Sequence, residues 1–231
     1  MNGKERLILA LDTPGTKEGL ALLDRLKAPW MKVKVGPRLF ALGGETFLRD
    51  LQERGHRVFL DLKLHDIPNT VAQAVEVYAR WGLWALTVHT SGGETMMRRA
   101  REAAGTDLLL LGVTVLTSLD GPEWEAVHPG CSLERALSGR AALARESGLG
   151  GVVCSPRDLT LVREAAPGLV TVVPGIRLPG DGTQDQARVD TPAAAMGRGA
   201  DYLVVGRSIL GAADPQSAAE RVLGSMEEGR A

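Results

Sequence analysis

Short apolar runs alternate with longer segments of helical period along the chain. Eight runs rich in Val, Leu and Ile are nearly continuous in hydrophobicity, which is typical of strands covered on both faces. The predicted strands are residues 7–12, 31–36, 57–63, 84–90, 107–117, 151–155, 169–175 and 201–207. The other segments place apolar residues three and four positions apart, which indicates amphipathic helices. These predicted helices are residues 16–28, 45–55, 70–82, 94–105, 133–148, 157–168, 190–200 and 214–229.

The order of these elements predicts the fold class. Strand and helix alternate eight times with short joins, and parallel strands need right-handed crossovers. We therefore predict an α/β protein, a single-domain (β/α)₈ TIM barrel over residues 1–231, a length close to the roughly 250 residues typical of that fold. An open doubly wound sheet is the alternative, but its nucleotide signatures GxGxxG and GxxxxGK[ST] are absent from the sequence.

The charge balance, the apolar runs and the cysteine spacing limit the partners and metals that the protein is expected to bind. Lys and Arg number 27 against 28 Asp and Glu, so no net basic face favours nucleic acid or an anionic membrane. No apolar run approaches the roughly 18 residues of a membrane span, and the N-terminal sequence lacks the apolar core of a signal peptide. Cys131 and Cys154 have no metal-like spacing. We predict a cytoplasmic protein without a metal site.

Charged residues appear late in strands that are otherwise apolar. Asp12 ends the first strand, Lys34 lies late in the second, and Asp61 and Lys63 lie late in the third. Alternate residues of a strand share a face, so Asp61 and Lys63 should point together into the barrel mouth, with Asp66 in the loop beyond. Because barrel enzymes place their chemistry at the carboxyl ends of strands, this group of charges indicates an active site.

A second polar cluster lies late in the chain. PGIR ends the predicted seventh strand, a glycine-rich polar segment follows at 180–186, and GRSI ends the eighth strand. Loops after these two strands often hold a phosphate in this fold. Gly206 allows backbone N–H groups to approach an anion closely, and Arg207 offers a forked cationic donor. The pattern predicts a phosphate site here.

Together these motifs resemble the orotidine 5′-phosphate decarboxylase family. The matching pieces are LALD, KVG, DLKLHDIPNT at 61–70, VHTSGG, VTVLTS, PGIR, DQ and VGRSI, in that order along nearly the whole chain. DLKLHDIPNT is the most specific of them. The resemblance implies a carboxy-lyase that converts orotidine 5′-monophosphate to uridine 5′-monophosphate and CO₂, with neither metal nor organic cofactor.

The resemblance also implies a catalytic group. Lys63 is expected to give a proton to C6 of the pyrimidine, and Asp61 to lie against the departing carboxylate. Lys34 is expected to join this charge network. Asp66 is expected to complete it across the interface of a homodimer, together with Thr70.

The remaining expected contacts bind substrate. The resemblance implies that Asp12 and Lys34 contact the ribose hydroxyls and that Thr117 contacts the pyrimidine. The phosphate contacts that it implies are Arg177, Gln186, the Gly206 amide and Arg207.

Two other functions stay open. A keto-sugar-phosphate decarboxylase of the same barrel superfamily shares the Asp-x-Lys-x-x-Asp pattern, but it resembles a magnesium enzyme with an acidic ligand where this chain has Lys34, and one cation opposes another. A catalytically inactive nucleotide-binding barrel is the second alternative. An inactive barrel would be expected to lack at least one charge of the network. All five charges are present in this sequence: Asp12, Lys34, Asp61, Lys63 and Asp66.

Overall fold

Eight parallel strands close into one barrel in the computed structural model, which describes residues 3–28, 31–179 and 189–229. Each strand pairs with the next along the chain, and the eighth pairs with the first, so the barrel prediction is confirmed. The strands are β1 Leu7–Ala10, β2 Lys32–Val35, β3 Arg57–Leu64, β4 Ala85–His89, β5 Leu109–Val113, β6 Gly151–Val153, β7 Val170–Val173 and β8 Tyr202–Val205.

Helices cover the outside of the barrel. They are α1 Gly3–Arg6, α2 Thr16–Leu26, α3 Pro37–Glu53, α4 Pro68–Ala79, α5 Gly93–Ala104, α6 Gly121–Val127, α7 Leu133–Glu146, α8 Leu159–Ala165, α9 Pro192–Gly197, α10 Arg207–Leu210 and α11 Pro215–Glu228. A short 3₁₀ turn, Thr90–Gly92, precedes α5. No helix among these described segments is long and apolar enough to cross a membrane.

Local signals in the sequence explain where the helices begin and end. The Thr191 hydroxyl accepts a hydrogen bond from the Ala194 amide at the start of α9, and the Asp214 carboxylate caps α11 in the same way. In both helices proline occupies the first turn, where its missing N–H is not needed. Gly82 and Gly148 follow α4 and α7 with φ of 67° and 78°, a left-handed conformation that glycine adopts without strain.

Alternation along the strands separates two apolar cores. One set of side chains fills the barrel interior: Ile8, Ala10, Phe59, Trp84, Ala85, Leu111, Val172, Tyr202 and Val204. The other set packs between the barrel and the helices; it includes Leu7, Leu9, Val33, Val35, Val58 and Leu60. Since both faces of the sheet are covered, most strand residues are apolar, and an inward polar side chain stands out.

The structure differs from the predicted elements mainly at their ends. Residues 107–117 were predicted as one strand, but β5 ends at Val113. The apolar side chain of Val115 instead packs with Trp124 of α6 and Leu137 of α7 in a small core beneath the loop. Helix α6 itself, the first half of α3 and the short α1 and α10 were not predicted. In α3 the backbone at Gly44 is non-helical, so only the second half follows the predicted helix at 45–55.

Candidate active site

Strand β3 carries the central pair of charged side chains. Its pairing with β4 shifts register between Leu60 and Leu64, and within this irregular stretch Lys63 has φ of 51°. A left-handed conformation is uncommon for lysine and is often found where a functional site constrains the backbone. Asp61 and Lys63 nevertheless point to the same side, and the lysine Nζ lies 2.9 Å from Asp61 Oδ2 and 3.0 Å from Oδ1.

Four charges form a chain across the mouth of the barrel. Lys34 Nζ lies 3.4 Å from Asp12 Oδ1 and 3.6 Å from Asp61 Oδ2, while Lys63 contacts Asp61 from the other side. The side chains of Lys34 and Asp61 are 13% and 12% exposed, whereas Lys63 is 37% and Asp12 60% exposed. The chain therefore runs from an exposed rim carboxylate through a buried pair to an ammonium that remains accessible from the cavity.

The surroundings of Asp61 keep its carboxylate ionised. Burial raises the pKa of this carboxyl, but the charges of Lys34 and Lys63 and the hydrogen bonds from Lys63 and Thr87 more than offset burial, so the net pKa lies below its ordinary value. The arrangement thus holds a negative charge against the cavity at neutral pH. Such a carboxylate can orient a lysine ammonium and repel another anion placed beside it.

These charges line a cavity of about 550 Å³ at the carboxyl ends of the strands. Thr117 and the neighbouring Ser118 reach it from the loop after β5, and the inward apolar side chains Phe59, Val153 and Val172 line its wall. A cavity of this size with an apolar wall and few polar groups is suited to a small organic molecule. The position is the one at which barrels of this type carry out their chemistry.

Two arginines reach the same cavity after β7 and β8. Arg177 is 8% exposed; its backbone amide donates to Asp190 O at 2.9 Å, and one guanidinium nitrogen donates to Ile176 O at 2.8 Å. Arg207 and Gly206 line the cavity at the start of α10. The predicted anion-binding residues therefore lie in one cavity with the charged chain, except Gln186, which is outside the described residues.

Asp66 and Thr70 lie elsewhere. Both are exposed, and neither lines the cavity of its own chain. Asp66 Oδ1 accepts a hydrogen bond from the Ile67 amide at 2.6 Å, and within the described residues the carboxylate makes no ion pair with Lys63. Ile67 next to it has 67% of its surface exposed. The loop between β3 and α4 thus presents a carboxylate and an apolar side chain outward.

His65, the first residue of this loop, stacks on His89 at the end of β4. The rings of His65 and His89 lie 5.2 Å apart at an interplanar angle of 25°. Burial lowers the pKa of His89 to about 4, with further lowering from His65, Arg140 and Lys63. His89 Nδ1 lies 2.6 Å from Ser91 Oγ and accepts a hydrogen bond from the Ser91 amide, which suits a neutral ring. Neither histidine lines the cavity that holds the charged chain.

One polar residue of the site was not predicted from sequence. Thr87 of β4 is fully buried, and its hydroxyl contacts both Asp61 and the backbone of Lys63. The sequence held a signal, because Thr87 interrupts an apolar strand on its inward face. No group of three or more His, Cys, Asp or Glu side chains in the described part of the chain is arranged to hold a metal ion.

A closed (β/α)₈ barrel whose mouth combines paired lysines and aspartates with two arginines defines a barrel enzyme. A family-wide sequence profile, that of the orotidine 5′-phosphate decarboxylase / HUMPS family, matches residues 5–222, and the chain belongs to this family. It is 43% identical over 217 residues to orotidine 5′-phosphate decarboxylase of Photobacterium profundum, covering 92% of this chain and 94% of that protein.

Other relatives agree with this assignment. The Moorella thermoacetica orotidine 5′-phosphate decarboxylase is 44% identical over 240 residues, covering 98% of this chain and 94% of that protein. Among solved structures, orotidine 5′-phosphate decarboxylase from Lactobacillus acidophilus superposes with a TM-score of 0.85 at 32% identity, covering 96% of this chain and 99% of that one. The similarity extends over almost the entire barrel, including every strand that carries a site residue.

Proposed function

We propose that this protein decarboxylates orotidine 5′-monophosphate to uridine 5′-monophosphate and CO₂, the last step of de novo pyrimidine nucleotide biosynthesis. The observation that carries the proposal is the chain of Asp12, Lys34, Asp61 and Lys63 along one cavity, in a protein that belongs to this family. We infer the substrate from the relatives, which are orotidine 5′-phosphate decarboxylases. The charged chain contains groups suited to this reaction.

The reaction requires charge stabilisation and a proton. When the bond between C6 and the carboxylate breaks, its electron pair stays on C6, which has no adjacent carbonyl to accept it. Lys63 would donate its proton to C6 and recover one from water, because its ammonium is oriented by Asp61 and accessible from the cavity. The ionised Asp61 would repel the substrate carboxylate, and this repulsion would disappear as neutral CO₂ leaves.

The rest of the nucleotide would occupy the remainder of the cavity. Asp12 and Lys34 are suited to the ribose hydroxyls, since a carboxylate accepts and an ammonium donates hydrogen bonds. Thr117 reaches the cavity where the pyrimidine would lie. Arg177 and Arg207, with the Gly206 amide and Gln186, would hold the phosphate through forked, charge-assisted hydrogen bonds. Such a phosphorylated substrate fits the predicted cytoplasmic location, because its charge retains it inside a cell.

The first experiment is an absorbance assay of orotidine 5′-monophosphate with the purified protein in excess EDTA. We expect rapid conversion to uridine 5′-monophosphate by the wild type and a loss of at least about 10³-fold in kcat for Lys63→Ala, because general acid and electrostatic roles coincide in one side chain. Lys17→Ala, which removes an exposed lysine outside the cavity, is the matched control and should retain activity.

A wild type that folds but leaves this substrate unchanged would contradict the proposal. The assay would then be repeated with magnesium and a keto-sugar phosphate, which the metal-dependent alternative requires. Thermal stabilisation by uridine 5′-monophosphate without turnover would instead support the inactive nucleotide-binding alternative.

We further propose a homodimer in which Asp66 and Thr70 act in the site of the partner subunit. Support comes from their exposed position outside their own cavity and from the exposed Ile67 beside them. Mixed dimers of Lys63→Ala and Asp66→Asn subunits, purified through two different tags, test the arrangement. If Asp66 acts across the interface, one of the two sites is intact and about half of the wild-type activity returns. If both residues act within one subunit, the mixed dimer stays inactive.

A further inference from the structure

The geometry around strand β4 assigns a role to a residue beyond the proposed site. We propose that Thr87 is a positioning residue whose hydroxyl holds the Asp61 carboxylate and the Lys63 backbone in the arrangement that the reaction needs. This inference rests on the proposed function, since it concerns the same two side chains. Thr87 itself does not line the cavity, so it would act through its neighbours.

The hydroxyl of Thr87 uses both of its hydrogen-bonding capacities on the catalytic pair. Oγ1 donates to Asp61 Oδ1 at 2.9 Å and accepts from the Lys63 backbone N–H at 2.8 Å. The residue is 0% exposed, so water does not compete for either bond. A buried hydroxyl that both donates and accepts has a determined orientation, and it transmits that orientation to its partners.

The hydrogen bond from the Lys63 amide to Thr87 lies at a point where the backbone is in an unfavourable conformation and the strand pairing is irregular. Lys63 has φ of 51°, and the pairing of β3 with β4 shifts register just before Leu64, so its amide is not part of a regular ladder. A left-handed conformation is unfavourable for a non-glycine residue, and it persists only where the surroundings impose it. The Thr87 oxygen provides the acceptor that the interrupted ladder does not.

The bond to Asp61 acts on the other member of the pair. Lys34 from β2 and Lys63 from β3 both approach Oδ2, while Thr87 from β4 and Lys63 approach Oδ1. With Thr87 in place, the carboxylate plane is held by contacts from three strands. Without it, Asp61 could rotate toward the lysines, and Lys63 would lose its aim at the reacting carbon.

The test compares Thr87→Val, which removes the hydroxyl at nearly constant shape, with Thr87→Ser, which keeps it. Thr90→Val is the matched control, because Thr90 is also buried and its hydroxyl donates to Val113 O at 2.8 Å without touching the charged chain. For Thr87→Val we expect kcat to fall at least about tenfold with KM within about threefold, since the expected substrate-binding contacts are unchanged. Thr87→Ser and Thr90→Val should keep kcat within about threefold of the wild type.

A second readout does not depend on activity. Amide hydrogen exchange of Lys63, resolved by NMR, should be slow in the wild type and in Thr87→Ser, and at least about tenfold faster in Thr87→Val, which lacks the acceptor. An unchanged Lys63 exchange rate or an unchanged kcat in Thr87→Val would overturn the inference, as would an equal loss of kcat in Thr90→Val. A wild type inactive on orotidine 5′-monophosphate would instead refute the proposed function, and the exchange experiment would still decide whether Thr87 holds the Lys63 backbone.

Discussion

Strand β2 carries two inward lysines, two residues apart, that meet opposite surroundings. Lys34 lies at the carboxyl end of the barrel and approaches the carboxylates of Asp12 and Asp61. Lys32 lies at the amino end, where its ammonium is 5.2 Å from the ring centre of Trp84 and 5.1 Å from that of Tyr202 and donates to the Glu5 carbonyl. Within the described residues Lys32 forms no ion pair with a carboxylate.

The difference shows how one barrel separates stability from chemistry. At the amino end, ring faces and a backbone carbonyl surround a cation that is 4% exposed and does not line the cavity of the charged chain. At the carboxyl end, the charges are paired with one another and face the cavity. Of two lysines in the same strand, Lys32 is therefore packed into the amino end of the barrel, whereas Lys34 belongs to the charged group in the active-site cavity.

Among the effects that distinguish the two ends of β2, the largest is expected when the same substitution is made at each lysine in turn. In Lys34→Met, Asp12 and Asp61 lose the cation that they share, and we expect kcat/KM to fall by about 10²-fold or more, in line with the loss of one partner of a close charge pair. In Lys32→Met the charged chain is intact, and kcat/KM should stay within about twofold. Steady-state kinetics on both variants provides the measurement. Equal losses would contradict the separation between the two ends.

A smaller effect should appear in the stability of Lys32→Met. Burial lowers the pKa of Lys32 from 10.5 to about 8, with further lowering by Arg57 and an opposing effect of Glu5. Below pH 8 the lysine is charged in both states, and the folded state bears the full cost of burying the ammonium. Between pH 8 and 10.5 the unfolded state binds more protons than the folded state. The stability of the wild type relative to Lys32→Met should therefore rise over this window.

Urea unfolding of both proteins at pH 7.5 and pH 10 measures this difference, and groups common to both cancel. The experiment also compares two opposing effects on the Lys32 ammonium, the cost of burying it and its attraction to the neighbouring aromatic rings. If attraction to the rings of Trp84 and Tyr202 exceeded the cost of burial, the pKa would be raised, and the relative stability of the wild type would fall as the pH rises. Whether the relative stability of the wild type rises or falls with pH therefore shows whether burial or attraction to the rings dominates at Lys32.

The fold was predictable because its signal is repeated along the chain. Eight apolar strands and eight amphipathic helices determine a barrel even when individual ends are misplaced. The errors occurred where apolar residues serve another purpose: Val115 belongs to a small core under the loop after β5, not to the strand. The hydrophobic periodicity of a sequence indicates that a residue is buried, but it does not indicate which residues it packs against.

The site was predictable as far as strand alternation and the positions of the strand ends reach. Alternation placed Asp61 and Lys63 on one side, and the structure also brings Asp12 and Lys34 beside them. The left-handed backbone at Lys63 and its hydrogen bond to Thr87 depend on a register shift between two strands, which a single strand's pattern does not reveal. The position of Asp66 outside its own cavity likewise depends on the course of a loop.

The last expected effect concerns His89 at the carboxyl end, which titrates in acid, whereas Lys32 titrates in base. Burial is the main cause that lowers the pKa of His89 from 6.5 to about 4, and its Nδ1 accepts a hydrogen bond from the Ser91 amide that a protonated ring could not accept. Between pH 6.5 and 4 the unfolded chain protonates this residue while the folded protein does not. The contribution of His89 to stability is therefore complete above pH 6.5 and declines as the pH falls toward 4.

Replacing His89 by Gln removes this titration, so the variant should lose less stability than the wild type when urea unfolding is compared at pH 7 and pH 4.5. His65→Gln is the control, because it removes the stacked ring but keeps His89. Since His65 contributes to lowering the pKa of His89, this control should show the decline over a narrower window. If His89→Gln declined as steeply as the wild type, the acid sensitivity would belong to another group, and the prediction for His89 would be wrong.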